Sequence, residues 1–310
     1  VIPPMVHHVV LLGHLGDVCL LCRLSLANPG DIALFTIEQF VPLARRYGAF
    51  HSVHSFAELA GLPEDTAVTD LHGQSCQIPA YRDAVSQVPS LRFAATARRL
   101  KWLAVSGNPM RARAYSVEPI VEYWTEVLGL ARAIIPLTSG TREMLHLTQT
   151  RPCRPVLSLQ SSTRHKALGA NAVKRLVSQV SILASIKPLI VEGPGRPTDG
   201  VRDLGVPIIE IASPEEFIAI AERRCCLVAV DNGLRHLASL IGIPRIVLYG
   251  PTSPGICGSG VGEVAVMSRA ACAPCGDPHE CQSDVRYCCL EDEVDYNELE
   301  SAWAQLHGGR

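Results

Sequence analysis

The sequence predicts an α/β fold built from two successive parallel-sheet units, and three observations carry this. Short apolar, β-branched runs alternate with helical segments along most of the chain, the pattern of parallel sheets covered on both faces. The 310 residues suit two domains of roughly 150 residues each. Hydrophobic residues make up 47% against 19% charged, too apolar for disorder and enough for two cores.

Element by element, His8–Leu12 is a strand candidate, broken by Gly13-His14-Leu15-Gly16-Asp17 and followed by a helix from Val18 to Leu26. Asp31–Phe35 is a second strand with a helix running through Arg45. Weaker strands are read at His51–Val53, Ala67–Thr69 and Trp102–Val105, and a helix over Ser116–Leu130 with Gly129 as its C-cap. Arg151-Pro152-Cys153-Arg154-Pro155 is linker-like, which divides the chain into domains 1–150 and 151–310. In the second, Val156–Leu159, Pro188–Val191, Val206–Ile211, Cys226–Val230 and Arg245–Tyr249 read as strands. Helices are expected at Asn171–Ala184, after Ser213-Pro214-Glu215-Glu216, and at Leu234–Ile241. Ser213 suits an N-cap, Pro214 the first helical position and Glu216 the capping box. Two such domains in tandem imply a ligand cleft between them.

Composition excludes several classes. A net charge of −2 argues against a general nucleic-acid binder with a large basic surface. No apolar run reaches the ~20 residues that span a bilayer. Val1–Val10 lacks the basic n-region of an export signal, so the twelve cysteines point to a reducing, cytoplasmic setting rather than a disulfide scaffold. Five of them, Cys272, Cys275, Cys281, Cys288 and Cys289, crowd into one short stretch.

The segment richest in chemistry is Leu227–Ala238, where a buried strand ends in Asp231-Asn232-Gly233 and a helix starts at once. A helix N-terminus offers unpaired N–H groups and positive potential that suit a phosphate. Gly233 permits close backbone approach, and His236 lies one turn into the helix. The bland reading makes Asp231 an N-cap and His236 a surface residue. Tyr249-Gly250-Pro251-Thr252 ends the next strand beside it.

The run Asp231-Asn-Gly-Leu-Arg-His-Leu-Ala, then Gly242-Ile-Pro-Arg-Ile-Val-Leu-Tyr-Gly-Pro-Thr-Ser-Pro, resembles the signature of glycosyltransferase family nine, the ADP-heptose transferases. That signature reads Asp-Thr-Gly, two variable residues, His-Leu-Ala, then Gly-Ile-Pro through Phe-Gly-Pro-Thr and a Cys-x-x-Cys region. The resemblance implies a GT-B fold, two Rossmann-like domains facing each other across a cleft. The N-terminal domain would take the acceptor and the C-terminal domain the donor. It also implies that Asp231, Asn232, Gly233 and His236 hold a nucleotide-sugar donor, with Asn232 standing where the family has Thr. Leu12-Gly13-His14-Leu15-Gly16-Asp17-Val18 resembles the family's first loop, which makes Asp17, at the end of strand one, the base that deprotonates the acceptor. Read alone, Asp17 caps the following helix, and His14 is a contact or bystander. In Leu159-Gln-Ser-Ser-Thr-Arg-His-Lys166, Ser161 and Ser162 would bond phosphate oxygens and Lys166 would neutralise the leaving diphosphate, with Arg164 a rival. No catalytic cofactor is needed for this.

One departure concerns Glu192-Gly193-Pro194-Gly195-Arg196-Pro197, where the family carries a donor-binding Glu after the glycine turn and this chain carries Pro or Arg. The cysteine cluster, with His279, has the spacing of a structural iron or zinc site, favouring Cys272, Cys275 and Cys281 with Cys288 or Cys289. Family members that glycosylate surface adhesins hold iron in a comparable finger; free thiols and a disulfide are the other readings. Cys19, Cys22, Cys225 and Cys226 read as core residues. Arg92, Arg98, Arg99, Lys101, Arg111 and Arg113 form a loose basic stretch that either meets an anionic acceptor or is a solvated face. The function implied is transfer of a heptose or related sugar from ADP-heptose to a hydroxyl acceptor: a surface-protein serine, a lipopolysaccharide core or a small molecule. The alternative is a non-catalytic nucleotide-sugar-binding or assembly subunit. A homo-oligomer is left open, and no nucleic-acid partner is expected.

Overall fold

The structure is a computed structural model. It describes residues 6–12, 14–71, 91–93, 119–130, 154–162, 164–194, 197–223, 226–254, 262–275, 281 and 288–307. The strand expected at Trp102–Val105, the basic residues from Arg98 to Arg113, Cys225 and His279 lie outside these. The chain divides into two compact units, Val1–Pro109 with Pro119–Pro136, and Met110–Glu118 with Leu137–Arg310.

The first unit contains β1 (His7–Leu11), α1 (Leu15–Ala27), β2 (Ile32–Thr36), α2 (Val41–Tyr47), β3 (Ser52–Ser55), β4 (Val68–Asp70), β5 (Leu91–Phe93) and α3 (Pro119–Leu128). Its five described strands are all parallel, in the order β3-β2-β1-β4-β5. β2 is buried along its whole length, as a central strand covered on both faces must be. α1 buries Val18, Cys19, Leu21, Cys22 and Leu24 completely, so both its cysteines are core residues, as expected. α3 ends at Gly129, whose φ of +63° is the left-handed C-cap anticipated from the sequence. Leu130 N–H then bonds back to the Thr125 carbonyl at 3.0 Å.

The second unit contains β6 (Val156–Ser158), α4 (Ala170–Ala184), β7 (Leu189–Glu192), β8 (Ile208–Glu210), α5 (Pro214–Ala221), β9 (Leu227–Val230), α6 (Gly233–Leu240), β10 (Arg245–Tyr249), β11 (Glu263–Met267), α7 (Cys288–Glu291) and α8 (Tyr296–His307). Its strands are parallel in the order β11-β10-β9-β6-β7-β8. This is the doubly wound Rossmann order, and its topological switch falls between β6 and β9. The core is apolar: Leu157 and Val228 from the sheet, Val173, Leu176 and Val180 from α4, and Leu299 and Trp303 from α8. The α5 start follows its sequence signal, with Ser213 Oγ accepting from Glu216 N–H at 3.3 Å. The Glu216 carboxylate reaches one residue beyond the capping-box partner, to Ala212 N–H at 2.8 Å.

The sequence reading did not anticipate β5, β11, α7 or α8. β11 is an edge strand, half-buried over most of its length, so it lacks the solid apolar run of β9 or β10. The start of α8 does carry a signal: Asp295 Oδ1 accepts from Asn297 and Glu298 N–H, both at 3.0 Å. Among the described residues no helix is long and apolar enough to cross a membrane.

Candidate active site

In a doubly wound sheet the loops leaving the two switch-point strands face each other at the carboxyl edge. Here those strands are β6, followed by Leu159–Ser162, and β9, followed by Asp231-Asn232 and α6. Asn232 stitches the two ends together. Its Oδ1 caps α6 by accepting from Arg235 N–H at 3.2 Å. Its Nδ2 donates to Ser158 Oγ at 2.9 Å and to the Gln160 carbonyl at 2.8 Å. The side chain expected to contact a donor is thus engaged in shaping the site. Gln160 Oε1 extends the linkage by accepting from Gly193 N–H at 3.1 Å.

Asp231 is buried at this junction, 5% exposed. Lys166, at the end of the short helical turn Arg164–Lys166, places Nζ 3.0 Å from Asp231 Oδ2. Arg235, one turn into α6, places Nε 2.7 Å from Oδ1. Burial pushes the Asp231 carboxyl up, but the charges of Arg235, Lys166 and His236 outweigh it and hold the group well below the ordinary carboxylate range. Asp231 is therefore a buried carboxylate with a cation at each oxygen. Gly233 is the first residue of α6, and Ser161, half-buried, and Ser162, exposed, continue the loop from β6. The structure thus brings Lys166, Asp231, Asn232, Gly233, His236, Ser161 and Ser162 to one sheet edge.

The sequence reading passed over the charges behind Asp231. Arg235 is fully buried, and its Nη1 lies 3.4 Å from Glu263 Oε2. Glu263 also holds Arg245 Nε at 2.9 Å and accepts from Tyr249 Oη at 2.6 Å. Two signals were available: Asp231 and Arg235 stand at helical i,i+4 spacing, and Arg245 opens an otherwise apolar strand.

Asp17 belongs to the first unit. It lies not at the end of β1 but in the first turn of α1, half-buried, with Oδ2 accepting from His14 N–H at 2.9 Å. The helix-capping role read from the residues alone is present. Glu192 is the last residue of β7, and its buried Oε1 accepts from Thr198 N–H.

None of the eight described cysteines forms a disulfide. Cys289 is buried, and burial together with the neighbouring Cys272, Cys288, Cys275 and Cys281 thiols pushes it up to about 12. The five thiols therefore lie near one another. Among the described residues, however, no group of three or more His, Cys, Asp or Glu is set at ligating positions. α7 packs on the end of β10: a Cβ at Gly250 would come within 2.7 Å of Leu290 Cγ and 3.0 Å of Cys289 Sγ.

A sequence model of glycosyltransferase family 9 (heptosyltransferase) matches residues 212–293. Over this segment the chain is similar to glycosyltransferase family 9. The segment contains Asp231, Arg235, Glu263 and the cysteine cluster; Lys166 and Asp17 precede it. Lipopolysaccharide heptosyltransferase 1 of Pseudomonas aeruginosa is 41% identical over 86 residues, which is 27% of this chain and 23% of that protein. The match thus spans less than a quarter of this curated relative's length. The fold is shared more widely. A family 9 glycosyltransferase structure from Veillonella parvula DSM 2008 superposes with a TM-score of 0.64 at 14% identity, covering 99% of this chain and 98% of that one. TibC from enterotoxigenic E. coli H10407 is a dodecameric, iron-containing heptosyltransferase solved with ADP-D-β-D-heptose. It superposes with a TM-score of 0.59 at 14% identity, covering 98% of this chain and 77% of that one. The α/β, GT-B class expected from the sequence is the class of these structures.

Proposed function

We propose that the protein is an inverting glycosyltransferase that moves a heptose or related sugar from ADP-heptose to a hydroxyl acceptor. One observation carries this reading: Lys166 and the N-terminus of α6 flank Asp231 at the switch point, inside or beside the segment that matches family 9. A cation and the N–H groups of a helix start are what a diphosphate requires. The solved relative TibC binds ADP-heptose, which favours that donor.

In the proposed reaction the acceptor oxygen attacks the anomeric carbon and the bond from that carbon to the diphosphate oxygen breaks. The bonding electrons leave with ADP, and Asp17 takes the acceptor proton. Lys166, Ser161, Ser162 and the α6 N–H groups hold the developing charge on the diphosphate, and His236 lines the same mouth. Residues 1–150 would select the acceptor and 151–310 the donor. A surface-protein serine, a lipopolysaccharide core and a small molecule all fit an acceptor that presents a hydroxyl. The site is assigned to the cytoplasm, where nucleotide sugars are made. The dodecameric state of TibC makes a homo-oligomer the assembly to test.

The thiols of Cys272, Cys275 and Cys281, with Cys288 or Cys289, suit a soft structural ion, iron or zinc, because thiolates are its preferred donors and no position is left for substrate. Metal analysis of freshly purified protein should give close to one ion per chain; a ratio near zero removes the ion. The function itself is tested by ADP release from a panel of nucleotide sugars with acceptors. Turnover supports the transferase. Binding without turnover favours instead a non-catalytic donor-binding subunit, the reading that the inward-turned Glu192 supports.

A further inference from the structure

The two cations on Asp231 differ in freedom. Lys166 is 21% exposed at the end of a short turn and is bonded to Oδ2. Arg235 is 0% exposed and lies over the Tyr249 ring, 5.6 Å from its centroid. Its far end meets Glu263, which also holds Arg245 and the Tyr249 hydroxyl. Arg245 and Glu263 are register partners at the start of β10 and β11, whereas Asp231 follows the end of β9. Arg235 and Tyr249 are therefore both anchored on Glu263.

This arrangement bears on what Lys166 can do. A buried carboxylate stripped of its only cation is strongly unfavourable. Were Lys166 the sole partner of Asp231, it would be held there and lost to a ligand. We infer that Arg235 is a positioning residue for the anion site: anchored by Glu263 and Tyr249, it neutralises Asp231 from the buried side, so that Lys166 can leave Asp231 for a diphosphate. This rests on the reading that the site takes a nucleotide diphosphate sugar. Arginine suits the task because its planar fork reaches two carboxylates and never deprotonates, which lysine cannot match.

The test is Arg235→Met, which leaves Asp231 with Lys166 and Glu263 with Arg245, each carboxylate keeping one cation. Two readouts are taken on the full chain: ADP affinity by calorimetry, and the rate at which an amine-reactive reagent labels Lys166 in the absence of ligand, read by peptide mass spectrometry. The expected result is ADP binding weaker by about ten-fold and Lys166 labelling slower by about three-fold, because its pair with Asp231 tightens. A merely loosened fold would speed labelling instead, and wild-type values in both readouts overturn the inference. Should R235M not fold, R235K, whose single ammonium cannot span both carboxylates, is read by the same two measurements and the same criteria. Should wild-type protein fail to bind ADP, the functional reading falls, while the labelling rate still decides what Arg235 does to Lys166.

Discussion

Asp17 and Asp231 each lie near the start of a helix that follows a parallel strand, yet their surroundings differ. Asp17 is half-buried, and its carboxylate takes a backbone N–H at the start of α1. Asp231 is buried, with a cation on each oxygen and a second carboxylate, Glu263, behind one of those cations. The charges of Arg235 and Lys166 hold the Asp231 carboxyl well below the ordinary carboxylate range despite its burial. An aspartate near a helix start thus meets different surroundings in the two units, set by what the rest of each unit places around it.

The largest expected effect separates the two by chemistry. Asp17→Asn should lower transfer by about 10²- to 10⁴-fold, the usual contribution of a general base, while ADP affinity stays close to wild type. A parallel loss of ADP affinity would move Asp17 to the donor site and break the contrast. Next comes stability. Asp231→Ala leaves buried Arg235 short of a counter-charge and should cost about 3–5 kcal/mol in urea unfolding. Asp17→Ala, which removes an anion from a helix start, should cost under about 1 kcal/mol. Equal costs would mean that the charge network around Asp231 is not what anchors it.

A smaller effect is expected in acid. The Asp231 carboxyl titrates below its ordinary range when folded, so its stabilising contribution is complete above the unfolded value and is lost as the pH falls further toward the folded one. Stability of the wild type should therefore decline below about pH 4, and Asp231→Asn, less stable at neutral pH, should decline less steeply there. Identical slopes in acid unfolding curves would show that Asp231 is not the titrating group.

Much of this contrast was legible in the sequence because the signals are local. The apolar run of β9, the polar break at Asp231-Asn232-Gly233 and the helix that follows are contiguous, and so are the Ser213 cap and Gly129. What was not legible depends on distant pairing. Asn232 Nδ2 finds Ser158 across 74 positions, and Arg235 finds Glu263 across 28. No periodicity reports such contacts; they follow from β6 lying beside β9, and β10 beside β11. Glu263 was missed for a second reason: it opens an edge strand whose residues are only half-buried, and so it reads as surface.

The central claim, that the β6–β9 switch point of the second unit takes the diphosphate of the donor, is tested most directly by calorimetric titration of ADP into wild-type protein and Lys166→Met. Saturable binding at close to one ADP per chain is expected, weakened by about 10- to 100-fold in the variant, the loss of one charge-assisted contact to phosphate. Equal affinity in the two proteins, or no binding to the wild type, would contradict it.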